Sequence, residues 1–281
     1  MTMSQEMISQ GTKLTAFKDT PFLSFDLLEE SGIVRHGFST RYGGVSEGIF
    51  ASMNLSFKRG DDPDRVSGNF RRMAQALGVS ADDMVLSDQT HTANVRLITA
   101  QDRGMGVVRP QSFHDVDGMV TDTPGIVLVT SHADCVPLFF VDPVRKAIGL
   151  SHSGWKGTAL KIGAVTIRKM GELFGSRPQD ILSVVGPCIC RSCYEIGEDV
   201  AVQFRDAFPE GQFNEILTEK GNGKYLLDLK EANRLILRES GLTDSHIYVS
   251  DICTACAGDL LWSHRKTQGQ RGGMAAFLSL R

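Results

Sequence analysis

The sequence predicts a compact mixed α/β domain, and three observations carry that reading. Short β-rich runs bounded by turn residues alternate with stretches of helical apolar spacing. No motif recurs at a period of roughly 20 to 50 residues, which removes solenoids and propellers. No low-complexity linker splits the chain, so 281 residues, enough for one domain or two, read as one.

In chain order, residues 1–20 lack periodicity and are expected to be a mobile tail, which leaves 21–281 as the folded unit. Structure begins with a strand over Ile33 to Phe38 that runs into the loop Thr40-Arg41-Tyr42-Gly43-Gly44-Val45-Ser46. Val66, Phe70, Met73 and Leu77 recur at helical spacing between Asp64 and Leu77, and Gly78 stands where a left-handed residue closes a helix. Strands follow at Val95 to Thr99, Gly125 to Thr130, Val136 to Val141 and Ala147 to Ser151. Leu160, Ala164, Ile167, Met170 and Phe174 mark another helix, ended by Gly175. Further helices are expected at Glu198 to Phe208 and Lys230 to Glu239, with strands near Ile181 to Val185, Tyr225 to Asp228 and Ile247 to Val249.

Composition narrows the function classes. The chain has 30 Lys+Arg and 33 Asp+Glu, a net charge of −3, with no basic block. Nucleic-acid binders concentrate positive charge because phosphate neutralisation supplies most of their affinity, so nucleic acid is not an expected partner. The start, MTMSQEMISQGTK, has neither a basic region nor an apolar core of signal-peptide length, and apolar runs such as Val136 to Val141 stop at six residues. No membrane span and a cytoplasmic location are expected. Six cysteines are too sparse for a disulfide scaffold, and five crowd into Cys188, Cys190, Cys193, Cys253 and Cys256, which reads as reduced thiols or metal ligands.

One local pattern carries chemistry. Asp142-Pro143-Val144-Arg145 has Asp and Pro at the first two positions of a turn between apolar runs, so a hairpin is expected. If Asp142 and Arg145 close that turn, Val141 faces Lys146, Phe139 faces Ile148 and Cys135 faces His152. Opposed side chains have Cβ atoms about 4.5 to 5.5 Å apart, close enough for a thiolate and an imidazole to share one metal ion. A slip of one residue would break this inference. The third ligand must come from His36, His91, His114, His132, His246 or His264, and spacing does not choose among them. The competing reading is a hydrogen-bonded core histidine beside a small buried thiol.

From residue 33 onward the chain resembles the proteins once called multi-copper polyphenol oxidases or laccase-domain proteins, a family now described as purine nucleoside phosphorylases. The resemblance rests on ordered motifs: His36-Gly-Phe-Ser-Thr-Arg41 with Gly43-Gly-Val-Ser46, Met53-Asn-Leu55, Gly60-Asp-Asp-Pro63, Gln89-Thr-His91, Asp117-Gly118, Ala133-Asp-Cys-Val-Pro137, His152-Ser-Gly-Trp-Lys-Gly157, Gly186-Pro187, Tyr194-Glu-Ile-Gly197 and Cys253-Thr254. It implies a layered α/β/β/α sandwich, with mixed sheets and flanking helices, and metal ligands at His91, Cys135 and His152. Two imidazoles and one thiolate leave the fourth position of a zinc tetrahedron for water or substrate, the pattern of a catalytic site. Water bound there can approach a pKa of ~7, which suits hydrolytic removal of the adenine amino group. The implied activity is phosphorolysis of adenosine, inosine and S-methyl-5′-thioadenosine, with deamination of adenosine at the same metal.

Phosphorolysis requires positive charge around the phosphate, and Arg41, Lys156 and Arg265 are candidates, each with a solvated surface charge as the alternative. Asn54 and Gln89 are candidates for hydrogen bonds to purine or ribose, or for structural amides. Gly43-Gly44 followed by Gly48 could let backbone approach a ligand, although no nucleotide-loop spacing is present. Cys188-x-Cys190-x-x-Cys193 with Cys253-x-x-Cys256 could build a second, closed zinc site, since four thiolates suffice for tetrahedral coordination. Near the C-terminus, Ser263-His264-Arg265-Lys266 and Gln268-Gly-Gln-Arg-Gly272 depart from the family pattern. Two histidines and a cysteine also match a blue-copper centre, so a copper polyphenol oxidase is the alternative enzyme and a non-enzymatic zinc-binding module the alternative of another class. The expected partners are purine nucleosides and phosphate, and the expected state is a monomer or weak homo-oligomer.

Overall fold

The computed structural model describes residues 3–281. Seven strands form a first sheet in the spatial order Ser4–Ser9, Thr12–Phe17, Thr20–Phe25, Val34–Ser39, Met274–Leu280, Val127–His132 and Met84–Leu86. Six form a second sheet in the order Ile247–Val249, Leu182–Val185, Val136–Asp142, Ala147–Ser153, Gly118–Thr121 and Val95–Leu97. Both are mixed, with the parallel pairings confined to the short strands Met84–Leu86, Val95–Leu97 and Ile247–Val249. A small third sheet joins Glu195–Gly197, Lys224–Leu227 and Leu217–Gly221.

Alternation along the strands produces three apolar cores and therefore four layers. Phe139, Val141, Ile148 and Leu150 of the second sheet meet Phe38, Leu128, Met274 and Leu278 of the first between the sheets. The neighbouring residues Leu138, Phe140 and Ala147 point the other way, onto helices Ile162–Phe174 and Leu229–Glu239. Val127, Val129 and Phe277 cover the outer face of the first sheet, against Val66, Phe70, Met73 and Leu77 of helix Pro63–Leu77. The result is the expected α/β/β/α sandwich.

The helix ends follow the local chemistry. Asp62 caps Pro63–Leu77 by accepting a 2.9 Å hydrogen bond from the Asp64 N–H, and Gly78 closes it in the left-handed region at φ 67°. Ile162–Phe174 starts later than the Leu160 spacing implies, because a separate short helix, Trp155–Ala159, precedes it and Lys161 breaks the path at φ 55°.

Three expectations need correction. Residues 4–17 are two strands of the first sheet rather than a mobile tail; their ladder to Thr20–Phe25 is made by the backbone, which needs no apolar periodicity. The hairpin closes two residues later than the turn arithmetic requires. Asp142 pairs with Ala147, Val141 with Ile148, and His152 with Pro137 instead of Cys135. The loop spans Pro143 to Lys146, with Lys146 at φ 52°, and the Asp142 carboxylate accepts 2.9 Å bonds from the N–H groups of Val144 and Arg145. Finally, Gly43 and Gly44 are packing glycines, because an added Cβ would stand 2.3 Å from the Asp19 carbonyl oxygen and 2.1 Å from that of Ser52.

Candidate metal centre and substrate cavity

One end of the sandwich gathers the chemistry. There Val127–His132 and Ala147–Ser153 end, while Gly118–Thr121, Val136–Asp142 and Met274–Leu280 begin, so the connecting segments converge. A slip of two residues in the hairpin preserves the face of every side chain, which is why Cys135 still meets His152 although Pro137 is its partner in the ladder. Gly154 makes room between them. A Cβ there would lie 3.0 Å from both Cys135 Sγ and His91 Cδ2.

His91, Cys135 and His152 each present a ligand atom within 4.8 Å of the other two. They are exposed, half-buried and buried respectively, so the group opens to solvent on the His91 side. Of the six histidines left open by spacing, the structure brings His91 to the pair. His36 lies buried between the sheets and accepts a 2.9 Å bond from the Phe25 N–H. His132 reaches the cavity wall, but its Nδ1 is 3.1 Å from the Cys135 carbonyl oxygen and its Nε2 2.8 Å from the Thr130 hydroxyl.

Asp117 organises the two histidines of the group. Its fully buried carboxylate accepts from the backbone N–H groups of Thr90, His91 and Thr92 at 2.9, 3.1 and 3.0 Å and sits 2.8 Å from His152 Nδ1. The first set holds His91 in the left-handed region at φ 67°, an arrangement that costs a non-glycine residue about 1 kcal/mol or more. The second fixes the His152 ring and leaves Nε2 for a ligand. Burial opposes the charge on Asp117, yet His152 and the N–H groups of Thr92 and Thr90 hold its pKa down at about 2. Burial likewise opposes charge on Cys135 and His152, but their mutual attraction prevails; the thiol falls to about 6 and the imidazole rises to about 9. Two imidazoles beside a thiol already drawn toward thiolate are a donor set that fits zinc with one position left open.

These residues floor a cavity of about 880 Å³. Its walls include Tyr194, Arg59, Arg265 and Arg271. Gln89 lines it with its amide tied to Ser131, Oε1 accepting from the N–H at 2.6 Å and Nε2 donating to the carbonyl at 2.8 Å. Arg265 lines it over the Tyr194 ring, 5.0 Å from the centroid, with Nη1 bonded to the Glu195 carbonyl.

Arg41, Asn54 and Lys156 do not line this cavity. Arg41 donates to the Gly258 carbonyl and stacks on Trp262 at 3.9 Å, and the Asn54 side chain is buried, bonded to Asp61 and to the N–H of Gly273. Lys156 is exposed beside Trp155 on the short helix.

In their place the structure offers Arg271, buried at 8% exposure, whose Nε has no hydrogen-bond partner. Burial, with Arg59 nearby, lowers its pKa to about 10, so it stays cationic at neutral pH. In the sequence Arg271 stands only inside a divergent glycine-rich stretch and Asp117 only inside a dipeptide motif. Neither the lost hydrogen bond nor the backbone partners leave a mark in the sequence.

Known proteins match most of the chain. Residues 35–281 match the family model described as multi-copper polyphenol oxidoreductase laccase. The chain is 39% identical to purine nucleoside phosphorylase YlmD of Geobacillus stearothermophilus, across 87% of this chain and 89% of that protein. The crystal structure of that YlmD superimposes with a TM-score of 0.88, covering 92% of this chain and 96% of the other. A purine nucleoside phosphorylase of Deinococcus radiodurans is 42% identical over 88% of this chain and 89% of its own. A protein named adenosine deaminase RL5, from an unknown prokaryotic organism, is 32% identical over 82% of this chain and 87% of its own.

Proposed function

The chain belongs to the multi-copper polyphenol oxidoreductase laccase family, and from that membership we propose that it is a zinc-dependent purine nucleoside phosphorylase. In this reading it cleaves adenosine, inosine and S-methyl-5′-thioadenosine with phosphate in the cytoplasm, and it also deaminates adenosine to inosine. The carrying observation is an open His91, Cys135, His152 group at the floor of a cavity whose wall holds a buried arginine without a partner at Nε.

When bound, zinc at such a site supplies Lewis-acid activation of water or of a substrate oxygen. The chain's own groups supply position and charge. Asp117 orients His152 and fixes the turn that carries His91. Phosphorolysis joins a phosphate oxygen to the ribose anomeric carbon while the bond to the base breaks, giving ribose 1-phosphate and free base. Arg271 and Arg59 are the groups we assign to the phosphate, because an anion there gives the Arg271 Nε an acceptor and offsets two neighbouring positive charges. Deamination exchanges the adenine amino group for a water oxygen and releases ammonia, so it needs neither arginine.

Copper-dependent polyphenol oxidation finds less support. None of the seven histidines stands two positions from another, and the paired spacing of a trinuclear copper cluster is thus missing from the sequence.

The test is product analysis with adenosine at varied phosphate. Without phosphate the zinc-loaded protein should yield inosine; with phosphate, adenine and hypoxanthine should appear alongside ribose 1-phosphate. His152→Ala should depress both routes by similar factors, and Arg271→Ala should raise the KM for phosphate by about tenfold or more while sparing deamination. Full phosphorolysis in a His152→Ala protein that no longer deaminates would rule out a shared site.

A further inference from the structure

We propose that Cys190, Cys193, Cys253 and Cys256 hold a second, closed zinc ion that braces the loop carrying Cys135. The four Sγ atoms all lie within 4.8 Å of one another, with Cys193 to Cys256 at 3.6 Å and Cys190 to Cys256 at 4.0 Å. Zinc bound to four thiolates at about 2.3 Å in a tetrahedron sets its sulfurs about 3.8 Å apart, between those two values. A disulfide needs about 2.05 Å, and all six cysteines of the chain are free.

Two turns build the site. Cys190 precedes and Cys193 ends the short 3-10 helix Arg191–Cys193, closed by a 3.1 Å bond from the Cys193 N–H to the Cys190 carbonyl. Cys253 and Cys256 flank a second turn, in which the Ala257 N–H donates to the Cys253 carbonyl at 2.9 Å. A parallel bridge between Cys188 and Cys253 lays the two segments side by side. The backbone N–H groups of Cys190 and Cys256 both point at Cys253 Sγ, at 3.2 and 3.4 Å. Donors aimed at a sulfur favour its anionic form and are the outer support that metal ligands receive. Cys188 stays out of the group; it is fully buried, and its thiol donates to the Ile189 carbonyl at 3.4 Å.

The position of the cluster says what it does. Both segments reach Asp134, the residue before Cys135, which is held in the left-handed region at φ 85°. The Ile189 N–H donates to its carbonyl at 3.0 Å, the Thr254 hydroxyl to its Oδ1 at 2.6 Å, and the Arg265 N–H to its Oδ2 at 2.7 Å. Tyr194, next to Cys193, and Arg265 form part of the cavity wall. A four-thiolate ion has no open coordination position, so its contribution is to join two segments some 60 residues apart and through them to fix Asp134.

This inference stands apart from the catalytic reading, and the experiment separates them. Protein purified under reducing conditions is assayed for bound metal by elemental analysis and native mass spectrometry in the Cys135→Ser background, where the first site is disabled. About one zinc per chain should remain there, and it should vanish in Cys135→Ser/Cys193→Ser/Cys256→Ser. In the otherwise native chain, Cys256→His, which keeps a legitimate zinc ligand, should retain the second ion, whereas Cys256→Ser should lose it and melt roughly 5 °C lower or more. A Cys135→Ser protein with no bound zinc and four fast-reacting thiols would overturn the proposal. So would a native mass lowered by a Cys193 to Cys256 disulfide, or iron in place of zinc.

Discussion

Asp117 concentrates more of this site than any metal-ligand candidate does. Its carboxylate has no exposure and serves three backbone N–H groups and one imidazole, so an isosteric amide would set an NH₂ against some of those donors. Asp117→Asn should therefore weaken zinc binding by about 10- to 100-fold, measured by titration against a competing chelator, and unchanged affinity would dismiss this role. His36 offers a second test, unrelated to the metal. Burial drives its pKa down to about 4 from an ordinary 6.5, and it accepts from the Phe25 N–H only while neutral. Below pH 6.5 the unfolded chain takes up a proton that the folded chain refuses until about pH 4, so stability is full above 6.5 and falls across that window. The loss should approach about 2 kcal/mol by pH 5 and about 3 kcal/mol below pH 4. Urea unfolding of metal-free protein at pH 7 and pH 5 checks this, and His36→Leu should lack that share of the decline.

Among the elements, the Val136–Asp142 and Ala147–Ser153 hairpin decides whether a thiol and an imidazole can meet. Its open end depends on Gly154, where Gly154→Ala would force Cys135 or His91 to move by a few tenths of an ångström. That variant should bind zinc on the order of tenfold more weakly while its metal-free form melts within a few degrees of the parent, and an unaltered zinc affinity would show that the site absorbs the methyl group. The hairpin also shows what the sequence made legible. Its existence, its faces and the placing of Cys135 and His152 on one face follow from periodicity and turn residues; the register does not, because Lys146 enters the left-handed region without any glycine to announce it. Helix Pro63–Leu77 was readable because cap, periodicity and terminal glycine agree. Ser4–Ser9 was not, since it is mostly exposed along its length and held chiefly by its ladder to Thr12–Phe17. Met274–Leu280 was also missed, being buried on both faces, so that MAAFLSL shows no alternation to mark it as a strand. Resemblance supplied His91, since spacing alone could not, while Arg41, Asn54 and Lys156, chosen for their charge and hydrogen-bonding capacity, stand away from the cavity lining.

For the molecule as a whole, the interface between the sheets is the structural commitment on which the cavity rests. Phe139 sits in it without exposure, edge-on to Phe25 at 5.4 Å between ring centroids. Phe139→Ala should cost about 3 to 5 kcal/mol in denaturant unfolding of the metal-free protein, and a loss below about 1 kcal/mol would mean that the sheets close over the gap. The same sandwich imposes an order on biosynthesis. Residues 274–280 lie between Val34–Ser39 and Val127–His132, so the strands flanking that gap cannot be joined while these seven residues are still inside the ribosome. Arg271, just upstream, reaches the cavity only when that strand docks. Earlier segments can collapse during translation, but the nascent chain carries an incomplete seven-stranded sheet with two unpaired edges, a state prone to sticking to other chains. The Arg271 side of the cavity wall is thus completed only after residues 274–280 have been made, and a chain stalled before them would be a client for chaperones.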